Sequence, residues 1–103
     1  MKQITIDKKV YVLDYTFNSI RYMDDLNFNE LQNIEETPFK FYTFTAKLFH
    51  GALNWSSKKF FSEDEAYALL EKYFEENPDK SKTLIEDLLA MLQESNFFKN
   101  LQD

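Results

Sequence analysis

The chain has 103 residues, a length suited to one domain, and 44% of them are hydrophobic, with 11 Phe, 6 Tyr and 1 Trp available for a core. Twelve Lys and Arg stand against 18 Asp and Glu, a formal net charge of -6 that disfavours phosphate backbones and anionic membrane surfaces. There is no cysteine, which excludes a disulfide framework and a thiolate metal site, and no apolar run approaches the ~20 residues that cross a bilayer.

Met1-Lys2 is not followed by an apolar stretch, so no signal peptide is expected, and the expectation is a cytoplasmic protein. Residues 1–50 carry 6 basic and 7 acidic groups, whereas 51–103 carry 6 and 11. That excess reads as solvated helix surface.

In chain order, residues 3–15 read as a β-hairpin. Gln3-Ile4-Thr5-Ile6 alternates, and Val10-Tyr11-Val12-Leu13 is β-branched and aromatic. The link Asp7-Lys8-Lys9 lacks Asn-Gly or Asp-Gly, which leaves the turn type open. Thr16 can cap a helix over 17–26 whose apolar face is Phe17, Ile20 and Met23, with Arg21, Asp24 and Asp25 on the wet side. The polar stretch 27–37 reads as a loop with room for one short turn of helix.

Thr37-Pro38 is a start signal, a capping hydroxyl followed by Pro at the first helical position. The helix it predicts, 38–54, is apolar on nearly every side and is expected at the centre of the fold. Phe39 to Phe44 is also compatible with a strand, and the continuation from Ala46 to Leu53 favours the helix. Ser62-Glu63-Asp64-Glu65 is a capping box, followed by Ala66, Leu69, Leu70, Tyr73 and Phe74 at helical spacing, so a helix over 63–76 stops before Pro78. Asp79 or Ser81 then caps a helix over 81–95 with Leu84, Ile85, Leu88, Leu89, Met91 and Leu92 on one broad face. A short tail, 96–103, carries Phe97 and Phe98. The fold class is therefore α+β, mainly α: one domain over 1–103, with a hairpin at 3–15 and a body of about four helices over 16–95.

Catalytic chemistry finds little to build on. His50 is the only histidine, and with no cysteine beside it the usual zinc ligand sets cannot be assembled. A single glycine, Gly51, cannot furnish a phosphate-cradling loop or a dinucleotide fingerprint. The acidic pairs fall in helix first turns or on polar faces, where carboxylates stay solvated. The expectation is a non-enzymatic protein with no cofactor and no metal.

Two segments are candidates for partner contact. Trp55, Phe60 and Phe61 bracket Lys58 and Lys59 in the loop after the central helix; they either pack that loop on the helix or meet another protein. Two lysines in an acidic chain are too small a footprint for nucleic acid. The last helix and tail, through Leu84, Leu88, Met91, Leu92, Phe97 and Phe98, hold more large apolar groups than a small core needs, which leaves simple packing and a partner or self-association surface both open.

The opening Met1-Lys2-Gln3-Ile4-Thr5-Ile6-Asp7-Lys8-Lys9-Val10-Tyr11-Val12-Leu13, then Asp14-Tyr15-Thr16-Phe17 leading into a helix, resembles the start of the tail assembly chaperones of long-tailed bacteriophages. Leu48-Phe49-His50-Gly51-Ala52-Leu53-Asn54-Trp55 is similar to a mid-chain segment of that family, and the capped acidic helix from Ser62 to the one that follows it. Asp7-Lys8-Lys9 stands where those proteins usually carry glycine. The resemblance implies a hairpin and a helical body without catalytic residues. It implies a role in siphovirus tail assembly in the host cytoplasm, with the tape measure protein and the tail tube protein as partners, possible homo-oligomers, and release before the virion matures. Neither nucleic acid nor membrane is expected as a partner. Another phage- or prophage-encoded interaction or inhibitor module is the alternative.

Overall fold

Alternating side chains in two short β-rich runs produce two antiparallel strands, β1 (Lys2–Ile6) and β2 (Lys9–Leu13), in the computed structural model, which describes residues 1–26 and 38–96. Their register pairs Ile6 with Lys9, Ile4 with Tyr11 and Lys2 with Leu13. Ile4, Ile6 and Leu13 therefore share one face, and all three are buried. Asp7 and Lys8 both take positive φ, 50° and 67°, so the turn is of the primed type that matches the twist of the flanking strands, made without a glycine. The Asp7 N–H donates to Glu76 Oε1 at 2.8 Å, and the Lys2 ammonium meets Asp87 at 2.9 Å, which ties the hairpin to the helices that cover it.

Helix α1 (Phe17–Ile20) is shorter than the 17–26 the pattern predicts. Beyond it the chain continues in tight turns, with Tyr22, Met23 and Leu26 each donating to the carbonyl three residues back. The cause is tertiary. These turns lay Met23 across α2 at Gly51, where an added Cβ would collide with the Met23 sulfur. Phe17, expected on the inner face, is 77% exposed. Thr16 is the N-cap of α1, as the pattern predicts; Ser19 Oγ accepts the Thr16 N–H at 3.1 Å, and the Thr16 hydroxyl donates to Trp55 O.

Helix α2 (Pro38–Leu53) is the axis of the fold and touches β2, α1, α3 and α4. The strand alternative for 39–44 is set aside, because this stretch is helical. From Phe44 to Asn54 every residue is buried except the half-buried Lys47, as an all-round apolar helix requires. The first turns differ: Phe39, Lys40, Tyr42 and Thr43 are exposed. Thr37 lies outside the described residues, so its expected capping role does too.

Helix α3 (Glu63–Glu76) opens on the predicted box, with Glu65 N–H donating to Ser62 Oγ and Ser62 N–H to Glu65 Oε1. It closes at Asn77, one residue before Pro78. Helix α4 (Ser81–Glu94) has Lys80 at its N-cap with no side-chain capping bond, so neither Asp79 nor Ser81 caps it. Ala66, Leu70 and Tyr73 of α3 and Leu84, Ile85, Leu88 and Leu92 of α4 join Phe44, Leu48, Phe49 and Ala52 of α2 and the hairpin face in one core. The architecture is thus α+β and mainly α, a hairpin followed by four helices. Among the described residues no helix is long and apolar enough to cross a membrane.

Candidate protein-interaction surfaces

The loop leaving α2 is held by a side chain that imitates a strand. Asn54 Oδ1 accepts the Phe61 N–H at 2.8 Å, and Asn54 Nδ2 donates to Phe61 O at 2.9 Å and to His50 O at 3.0 Å. His50 Nε2 lies 2.8 Å from the same Phe61 carbonyl, and since a carbonyl only accepts, Nε2 carries the proton. His50 therefore stands as a satisfied, buried histidine whose ring also meets Tyr22 with centroids 4.8 Å apart. Among the described residues no group of His, Asp or Glu could hold a metal ion.

This anchoring separates the three loop aromatics. Phe61 is buried, tied through its own backbone, with its ring 6.0 Å from that of Tyr11. Trp55 is half-buried and donates its indole N–H to Val12 O at 3.1 Å, which fastens the loop to β2. Phe60 is 63% exposed and points its ring toward Tyr22 at 6.1 Å. Of the three, only Phe60 presents most of its surface to a partner, and Trp55 offers one side.

The last helix requires a correction. Leu84, Leu88 and Leu92 are almost wholly inside the core against α2, so they belong to packing and cannot line a free surface of this fold. Met91 is half-buried at the edge of the same cluster. Phe97 and Phe98 lie outside the described residues. The physical reason is the size of the demand: α2 is buried on all sides over its second half, and α4 is one of the elements that must bury it.

Apart from Phe60, the exposed aromatic surface lies in residues the sequence pattern assigns to the core or passes over. Phe39 is 83% exposed and Tyr42 half exposed on the first turns of α2; Phe17 and Phe60 are exposed, and Tyr67 stands out from α3. Shallow grooves between α2 and α3 run past Tyr67, Lys47, Asp25 and Tyr22 on one side and Lys40 and Thr43 on the other. The Lys47 ammonium bonds Asp25 across the first of them, and that bond holds the Asp25 carboxyl below its usual range. A signal for these positions did exist. Phe39 and Tyr42 precede the part of α2 that neighbouring elements can cover, and Tyr67 falls off the i, i+3, i+4 rows of α3.

Another groove, of about 340 Å³, runs along β2 between Val10, Val12 and the loop that carries Trp55, Lys58, Lys59 and Phe61. Lys59 Nζ sits 4.9 Å from the Phe61 ring centroid. No family model matches the chain, and no curated protein and no solved structure matches it.

Proposed function

We propose that the chain is a non-enzymatic assembly chaperone for the tail of a long-tailed bacteriophage, acting in the host cytoplasm. It binds the tape measure protein, helps to recruit tail tube subunits and leaves before the virion matures. The observation that carries this reading is the aromatic surface. A chain whose core is already filled still exposes Phe17, Phe39, Phe60 and part of Tyr42 and Tyr67. Rigid aromatic side chains of this kind supply contact area to amphipathic helices at little entropic cost, which is what shielding a long helical partner requires. The hairpin followed by helices is also the layout that the resemblance of residues 1–17 and 48–55 implies.

The test is co-expression of this chain with the tape measure protein of the same genome, with a tag on the small partner. The expected result is a soluble tape measure that co-purifies with it. A tape measure that stays insoluble and fails to co-purify overturns the proposal.

A further inference from the structure

The outer edge of β2 leaves part of its backbone unsatisfied. A two-residue turn makes Ile6 and Lys9 the hydrogen-bonded closing pair, and such pairs alternate from there. Val10, Val12 and Asp14 therefore turn their N–H and C=O groups away from β1. The end of α2 takes some of them: Asp14 N–H donates to Ala52 O at 3.2 Å, and the Trp55 indole donates to Val12 O at 3.1 Å. The Val10 N–H and C=O and the Val12 N–H have no partner among the described residues, and Val10 is 61% exposed.

The 340 Å³ groove lies against this open edge. Trp55 and Phe61 give it apolar walls, and Lys58 and Lys59 stand on its rim. Neither lysine is paired with a carboxylate among the described residues, in contrast to Lys2, Lys47 and Lys72. In a chain of net charge -6, the groove beside this open segment of β2 is thus edged by two lysines without a carboxylate partner among the described residues.

We propose that this groove binds an extended, acidic segment of a partner protein, which adds to β2 as a third strand. Backbone pairing with Val10 and Val12 sets its direction, alternate apolar side chains rest on Trp55 and Phe61, and carboxylates between them meet Lys58 and Lys59. The inference does not rest on the chaperone reading, which concerns helices on a different set of aromatics. Edge lysines also guard against aggregation, and the experiment separates that role from binding.

Trp55 is the only tryptophan and lines the groove, so its fluorescence reports occupancy directly. The probe is a short peptide alternating valine and glutamate, titrated at low salt beside its lysine counterpart, a backbone N-methylated version and oligothymidylate. The expected result is that only the unmethylated glutamate peptide shifts the Trp55 emission. Lys58→Glu with Lys59→Glu should weaken it by about tenfold or more, as loss of charge complementarity does. Val10→Pro, which removes an outward N–H without touching the β1–β2 ladder, should weaken it as well. A glutamate peptide that does not bind, equal binding of the lysine or N-methylated peptide, or a response to oligothymidylate in its place each overturns the proposal. So does peptide binding that the double lysine reversal leaves unchanged in a folded variant.

Discussion

Asn54 closes α2 by making three amide hydrogen bonds to backbone, two of them on Phe61, seven residues ahead. Replacing it with Ala strands the buried Phe61 N–H, and an unsatisfied buried donor costs about 1–3 kcal/mol. Asn54→Ala should therefore lower the thermal midpoint by several degrees at unchanged helix content; an unchanged midpoint would show that the loop is held by its aromatics alone. Tyr15 is the second such position: its buried hydroxyl donates to Leu48 O at 2.8 Å, and burial pushes the phenol pKa far above its ordinary value of 10.0. The unfolded chain releases this proton near pH 10 and the folded chain keeps it, so stability is complete below that pH and falls above it. The slope is about 1.4 kcal/mol per pH unit. Burial also raises Tyr73, with Asp87 adding and Lys2 opposing, so the difference between the wild type and Tyr15→Phe isolates Tyr15. The variant should lose about 0.5–1.5 kcal/mol at neutral pH and fall less steeply in alkali, and parallel curves would refute the assignment. Neither role is legible in the sequence. Both depend on a loop or strand folding back across α2, and no periodicity records such a return.

Elements whose signals are local follow the sequence closely, and elements shaped by their neighbours do not. The α3 helix has its box at Ser62 and Glu65 and its stop at Pro78, all contained within its own residues, and its ends fall where those signals put them. For α1 the start signal at Thr16 holds, but the helix ends at Ile20 and not at residue 26, because the chain turns early to seat Met23 on Gly51. The hairpin stands between these cases. Its strands are readable from alternation, but its turn is not, since neither Asp7 nor Lys8 announces a left-handed backbone. Asp tolerates that region through its short polar side chain, whereas for Lys8 it costs about 1–2 kcal/mol. Lys8→Gly removes the strain at the expense of a more flexible unfolded chain, about 0.5–1 kcal/mol. The net expectation is a gain of up to about 1 kcal/mol, seen as a higher urea midpoint at constant slope. A lower midpoint would mean that the turn is not of the primed type.

At the scale of the whole molecule, the decisive feature is how the aromatics divide between core and surface. Composition alone announces more of them than a small core needs, and it does not say which. For the last helix the sequence leaves packing and a partner surface both open; the fold buries Leu84, Leu88 and Leu92 and exposes the front of α2. The reason is geometric. The hairpin, α3 and α4 gather around the second half of α2, from Phe44 onward, which leaves Phe39 and Tyr42 beyond their reach. Two phenylalanines of the same helix should then behave in opposite ways. Phe49 is fully buried, and Phe49→Ala should cost about 3–5 kcal/mol, a large part of the roughly 5–15 kcal/mol that holds a domain of this kind. Phe39 is 83% exposed, and Phe39→Ser combined with Phe60→Ser should change stability by no more than about 0.5 kcal/mol per site. Denaturant unfolding measures both. The same double variant should lose capture of the tape measure protein, because it removes aromatic contact area while the core stays intact. Full capture by a folded double variant would place the working surface elsewhere, and a double variant that unfolds would show that Phe39 and Phe60 hold the fold together.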